Sequence, residues 1–315
     1  MINRTVLKRG FAMRGALLSL FATACVAAFV SAPALAQDDS KWVLSPDARV
    51  EFAFISAEST TRDEQLVVDG DAFTLRAQVG VDFEDEDTRF RIEADRIEVF
   101  RLGEDRADTA RDRFTAQFQQ DLSKEWEVEL RARHYDDFVT AESGNTDELQ
   151  GSAALTYEPE RANRFTVRGT WRDRNYDNGT ALETDGSGPR VDAQYRRRLG
   201  RYHYLTFDLR AESIESDDPR RGFERQSARV SYTRPITPDL RVRPAIEFLN
   251  TRFDGRLTDA GARRNDQLVV PEIEVLWWPD RWRIEGEAKY VFSDSNEPLR
   301  EREGYRLTIS VGYVF

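Results

Sequence analysis

Cysteine is almost absent from this sequence: Cys25 is the only one among 315 residues. That excludes an intrachain disulfide framework and any cysteine-built metal site. Histidine is nearly as scarce, with His134 and His203 alone. His134, near Asp136 and Asp137, offers half of a hydrolytic His–Asp pair, but no serine motif accompanies it. His203 stands between Tyr202 and Tyr204 and suits an interface. No phosphate loop, EF-hand spacing, zinc pattern or haem motif occurs. No enzyme activity, metal or cofactor is therefore expected. Basic residues are in the minority, 46 against 57 acidic, for a net charge of -11, which argues against nucleic acid as a partner. Beyond the first 36 residues no run is apolar enough for a membrane-spanning helix, which needs about 20 residues. With 33% charged residues and a mean hydropathy of -0.64, the chain reads as water-soluble to any scale that assumes helices.

The first 36 residues read separately. Arg4, Lys8, Arg9 and Arg14 form a basic start without acids. Gly15 to Val30 is apolar, and Ala34-Leu35-Ala36 is an A-x-A cleavage signal. A secretory signal over residues 1–36, cut before Gln37, is expected. A lipoprotein signal at Cys25 is the weaker alternative, because Ala22 stands where a branched apolar residue is usual. The remaining chain, 37–315, holds 42 basic and 57 acidic residues, a net charge of -15.

What fills that chain is a period of two. Phe73, Leu75, Ala77, Val79, Val81 and Phe83 alternate with polar residues. So do Trp126, Val128, Leu130 and Ala132, and Trp282, Ile284, Gly286, Ala288, Tyr290 and Phe292. A helix repeats its apolar residues every three to four positions and cannot produce this. About fourteen such segments are read: 48–58, 72–83, 88–100, 112–121, 125–139, 147–158, 163–176, 190–199, 202–215, 222–234, 238–251, 264–278, 281–293 and 304–315. Their connections alternate short and long. The pattern predicts an all-β fold, a transmembrane up-and-down antiparallel β-barrel with short periplasmic turns and longer extracellular loops. Arg76, Arg131, Arg168, Arg229, Arg241 and Arg283 all sit on the polar parity, as a lipid-facing apolar parity requires. Trp126, Tyr157, Tyr195, Tyr202, Tyr232, Trp277, Trp278, Trp282, Tyr313 and Phe315 cluster near the short turns, where an interfacial girdle belongs. A soluble sandwich is the alternative. The many Ala and Gly residues on the apolar parity suit lipid better than a packed core.

The chain ends on YRLTISVGYVF. Tyr305, Leu307, Ile309, Val311, Tyr313 and Phe315 form one apolar stripe that finishes on an aromatic residue. This resembles the C-terminal signal of Gram-negative outer-membrane β-barrel proteins, a class that includes the porin-type barrels. The resemblance implies a cell outer membrane location. It also implies reading of these six residues by the outer-membrane assembly machinery, and contact with outer-membrane lipid and lipopolysaccharide. Ser293 to Leu299 and the strand after it loosely resemble the last hairpin of the C-terminal barrel in surface lipoprotein assembly modifiers. The helical repeats that precede that barrel are missing here.

The polar parity defines a candidate lumen. Arg168, Arg172, Arg174, Arg196 and Arg198 fall on segments seven and eight. Arg225, Arg229, Arg241 and Arg243 fall on ten and eleven. Glu272, Glu274, Glu285 and Glu287 fall on twelve and thirteen, and Glu127 and Glu129 on segment five. A basic wall facing an acidic one would set a transverse field across a water-filled pore for small solutes. Cross-strand ion pairs that only brace the wall are the alternative. Three local irregularities are expected: a bulge near Asp95-Arg96, where the parity slips, and a bulge or a lost ladder bond at Pro244 and at Pro271.

Overall fold

The computed structural model describes residues 42–58, 60–62, 66–68, 70–102, 108–138, 145–177 and 184–315. The expected signal over 1–36 lies outside them. Alternating residues with abundant Val, Ile, Thr and aromatic side chains favour extended chain, and the described residues are nearly all strand. The first strand is β1 (Val43–Glu58). A small hairpin follows, β2 (Thr60–Arg62) and β3 (Leu66–Val68). Then come β4 (Ala72–Glu84), β5 (Thr88–Arg101), β6 (Thr109–Asp121), β7 (Trp126–Phe138) and β8 (Asn145–Glu160). The chain continues as β9 (Asn163–Asp177), β10 (Thr184–Gly200), β11 (His203–Ser216) and β12 (Phe223–Pro235). It ends with β13 (Leu240–Leu257), β14 (Arg263–Trp277), β15 (Trp282–Ser295) and β16 (Arg302–Val314).

All strands except the β2–β3 hairpin join one closed barrel of 14, each antiparallel to its sequence neighbours, with β1 pairing β16. The short turns are built by local polar side chains. Asp85 Oδ1 accepts the Thr88 N–H at 2.8 Å, Ser123 Oγ accepts that of Glu125 at 3.2 Å, and Thr237 Oγ1 accepts that of Leu240 at 3.0 Å. Tyr202 and Asp280 take positive φ, 56° and 50°, to turn the chain at two of the other short connections.

The strands are steeply tilted. A row of paired residues that leaves β4 at its last residue, Glu84, reaches β16 at its first, Arg302. A full circuit displaces the row by about 18 residues, which at ~4.8 Å between strands and ~3.3 Å per residue gives a tilt of about 40° and a Cα radius of about 14 Å.

Closure explains the terminal stripe. Arg49 to Glu58 pair with Val314 to Tyr305, and the Phe315 N–H donates to the Ala48 carbonyl at 2.9 Å. Tyr305, Leu307, Ile309, Val311 and Phe315 all point outward and are exposed, Ile309 by 61%. Phe52, Phe73, Ile92, Phe114, Leu130, Trp171, Leu209 and Phe248 continue the apolar belt around the barrel. Near the short turns it carries stacked or edge-on rings: Trp126 on Tyr157 at 4.4 Å, Phe165 on Tyr195 at 4.7 Å, and Trp282 on Tyr313 at 5.1 Å.

Two expectations need correction. No bulge forms at Asp95-Arg96, because β5 pairs without a register shift to β4 and β6. The strand keeps its rhythm, turns Ile97 and Val99 inward, and leaves Arg96 and Glu98 outside. There Arg96 pairs with Glu98 at 3.0 Å and with Asp112 of β6 at 2.8 Å. Lateral neutralisation replaces the bulge. Tyr202 and Trp278 leave the outer girdle. They sit in turns, beyond the strand parity, and carry the inward Arg241 guanidinium at 4.1 and 4.8 Å.

The prolines cost bonds but not register. Pairing of β12 with β13 skips Pro244, and pairing of β14 with β15 skips Pro271, while the count resumes unshifted. The same skip at Gly188 and Pro189 lets β10 begin at Thr184, earlier than its alternation suggests.

Ile309→Arg tests the lipid-facing parity. A charge there should cost about 2–4 kcal/mol if mid-depth, read as a lowered denaturation midpoint in lipid vesicles.

Candidate functional site: the lumen wall

The parity opposite the exposed apolar belt is rich in charge on most barrel strands, and the fifteen residues anticipated for a lumen lie on that parity. At mid-height they meet as neighbours. Arg243 on β13 is the direct partner of Glu274 on β14, and its Nε donates to Glu274 Oε2 at 2.9 Å. Arg229 reaches across β13 to Glu272 at 2.7 Å and to Glu274 at 3.2 Å. Lys289 on β15 binds Glu272 at 3.0 Å and Glu287 at 3.1 Å. On the other side Arg168 donates to Glu129 at 2.9 Å, and Arg164 to Glu127 at 3.4 Å. Glu285 accepts the Trp278 indole N–H at 3.0 Å. Arg196 lies over the Tyr204 ring at 5.3 Å, and Arg198 donates to the Gly200 carbonyl at 3.2 Å near a short turn.

The expected facing walls are thus only partly separate. Arg229 of β12 and Arg243 of β13 touch the acids of β14 and lose their long-range field to them. The basic wall that remains lies on β6, β7 and β9. Among its described side chains, β9 turns Arg164, Arg168, Arg172 and Arg174 inward and no carboxylate. Diametrically opposite stand β15 and its neighbour β14, with Glu272, Glu274, Glu285 and Glu287.

The two ends of the lumen differ. Toward the long loops, on the β8–β14 side, it is dry. Arg172 pairs with Glu212 at 3.1 Å with both side chains fully buried. Arg225 joins Glu212 at 3.2 Å and Thr251 at 3.1 Å, and Arg174 pairs with Glu148. Above them Tyr176, Ile214, Phe223 and Phe253 are buried, with Arg174 and Arg225 over the Phe223 ring at 5.9 and 4.4 Å and Arg221 over Tyr176 at 4.5 Å. Gly186 makes this possible: a Cβ there would meet the Tyr176 ring at 3.0 Å. The 217–222 loop backs the cluster. Asp218 accepts the Arg220 N–H at 3.1 Å and its guanidinium at 3.0 and 2.9 Å, which holds the carboxyl below the usual carboxylate range. Mid-lumen side chains stay partly wet by contrast, with Arg243 34% and Glu285 32% exposed.

Sequence parity missed this dry cluster, although Phe223 and Phe253, aromatic residues on the charged parity, were a visible signal. It also missed Arg91, which gathers Asp47 at 2.9 Å, Asp82 at 2.6 Å and Glu93 at 3.2 Å. Gly80 leaves the room, since a Cβ there would lie 2.6 Å from Arg91 Nη2. Two carboxylate groups are close enough to share a cation: Asp136, Asp137 and Asp147 at the long-loop end of β7 and β8, and Glu272, Glu274 and Glu287 in the lumen. The second already holds Arg229, Arg243 and Lys289. His134 lies on the outward parity and is exposed, so it faces away from the lumen. His203 meets the Tyr232 hydroxyl at 2.6 Å near a short turn.

No protein-family model matches the chain, and no curated protein matches it by sequence. Solved structures match its shape. In-vitro folded OmpT, an outer membrane protein of Vibrio cholerae, superposes with a TM-score of 0.53 at 8% identity, over 89% of this chain and 99% of that one. The outer membrane channel DcaP of Acinetobacter baumannii gives 0.51 at 12% identity, over 88% and 99%. The likeness is one of fold. The chain is a barrel of the outer-membrane type, with its short turns on the periplasmic side by the rule of that fold.

Two outcomes follow from the dry cluster. Glu212→Ala strands Arg172 and Arg225 without their shared carboxylate and should lower stability by about 3–5 kcal/mol, measured by urea unfolding in vesicles. Asp218 titrates lower in the folded loop than in the unfolded chain. Its contribution is present above the ordinary carboxylate range and is lost as pH falls through the folded value. Protection of the amides across 217–222, taken relative to their intrinsic exchange rates, should therefore fall selectively in acid.

Proposed function

We propose that the barrel is a passive diffusion channel for small polar or charged solutes, with lumen arginines and glutamates setting preference. One observation carries the reading. Charged side chains at mid-lumen are ordered by lateral pairs yet remain partly wet: Arg168 is 24% exposed, Arg229 28% and Arg243 34%. A wall braced this way presents charge to water without filling the bore. The fold shared with a known outer membrane channel supports the same reading.

The wall carries more than bracing. Ion pairs neutralise β12 to β15 locally, while β9 turns four arginines inward, interrupted by Thr166 and Thr170. Two of the carboxylates that meet them, Glu129 and Glu212, are shared with Arg131 and Arg225, so net positive charge and a field remain on that side. The periplasmic mouth adds Arg241, held over Tyr202 and Trp278 rather than over a carboxylate.

The dry packing around Arg172, Glu212, Phe223 and Phe253 favours a second reading, a non-transporting barrel that helps export, assemble or anchor a surface component. Planar bilayers separate the two. Steady ohmic conductance from purified protein is the expected result, and silence at every voltage selects the second reading. With Arg241 and Arg243 both changed to Glu, ion preference should move toward cations. An unchanged reversal potential would remove these two residues from the path.

A further inference from the structure

The basic wall has a local structure that a general field does not need. On β7, Arg131 and Arg133 point inward two residues apart. The paired positions on β8 are small or neutral, Ser152 opposite Arg131 and Gln150 opposite Arg133. Next along, β9 sets Arg168 opposite Ala154. The three guanidiniums therefore converge over a floor of short side chains, and they lie close enough to repel one another.

Their neutralisation is incomplete. Arg131 and Arg168 share a single carboxylate oxygen, Oε1 of Glu129. Arg113, which also crowds Arg133, is turned to Glu93 at 2.8 Å. Arg133 leans on the Tyr135 hydroxyl, a neutral group. The Nε atoms of Arg131, Arg133 and Arg168 are all buried, and each lacks a hydrogen-bond acceptor among the described residues. A buried donor without an acceptor is costly and calls for an unseen partner. The fork geometry of guanidinium matches a planar or tetrahedral oxyanion.

We propose that Arg131, Arg133 and Arg168 form an oxyanion site on the lumen wall, for a small solute bearing a carboxylate or a phosphate. Resting on the channel reading, this names its solute class. The chain as a whole is acidic at -11, so anion affinity at this place is a property of the wall and not of net charge. Glu129 holds two of the arginines in place and leaves the cluster net positive. An arriving oxyanion meets the partly wet guanidinium ends, Arg131 12% and Arg168 24% exposed, without displacing that carboxylate.

Two measurements on the full barrel test it. In planar bilayers, the reversal potential under a potassium chloride gradient should show anion preference. Arg133→Gln and Arg168→Gln should each reduce it more than Arg196→Gln, which removes an equal charge elsewhere on the wall. In detergent, inorganic phosphate or acetate should raise the melting temperature of the wild type. Arg133→Gln should weaken that binding about tenfold, the scale of one charge-assisted hydrogen bond. Arg133→Lys should keep the reversal potential and lose most of the thermal shift, because charge survives and the fork does not. Heat-modifiable mobility on gels confirms that each variant has folded. A shift from phosphate alone or acetate alone narrows the class. If current flows but the Arg133 and Arg168 variants match Arg196→Gln, and neither anion shifts melting, the site does not exist while the channel stands. If no current flows, the channel reading falls, and the melting experiment alone decides the site: a shift abolished by Arg133→Gln upholds it, and no shift overturns it.

Discussion

Hydrocarbon offers no hydrogen bonds, so every strand in it must find a partner on both sides. The rest of this barrel depends on that constraint. It explains why β1 and β16 meet, why the Phe315 amide donates to Ala48, and why residues 305–315 carry an exposed row of aromatic and branched side chains. It also explains the treatment of proline. Pro244, Pro271 and Pro189 each interrupt two successive pairs and never shift the count. A slip of one residue would turn an entire strand's charges toward lipid.

The second constraint acts inside. A wall that alternates with a lipid face must put its polar residues in the bore, and many of these are arginine. Neighbouring strands then decide how much charge survives. Where register sets Arg243 against Glu274, the field collapses into a brace. Where β8 offers only Ser152, Ala154 and Gln150 between two arginine-bearing strands, charge accumulates. The difference between brace and site is therefore one of register and side-chain size, not of composition.

Much of this was legible in the sequence and some was not. Period two gave the strand faces, the alternating connections gave the up-and-down order, and parity alone grouped the fifteen lumen candidates on one face. Register was not legible, because it depends on turn lengths and skipped rungs. That is why Arg229 and Arg243 were expected to face an acidic wall and instead touch it. The bulge at Asp95-Arg96 was inferred from hydrophobicity, which does not know that Asp112 waits on the next strand to receive Arg96. Tyr202 and Trp278 were grouped with the girdle because they are aromatic and near turns. Turn residues obey no alternation, and a cation drew both inward. Phe223 and Phe253 broke the charged parity openly, yet their meaning appears only when Tyr176 and Ile214 arrive beside them from other strands.

The outward pair of Arg96 with Glu98 and Asp112 has a consequence for the surrounding bilayer. Phe90 and Ile92 lie below these charges on β5 and Phe100 beyond them, so the greasy collar is notched on this flank. Lipid tails must shorten beside the notch or the whole cylinder must lean toward it, at fractions of a kcal/mol per Å of mismatch. A rotationally even pore thus acquires a front and a back, and lateral neighbours in a crowded membrane will meet it in a preferred orientation.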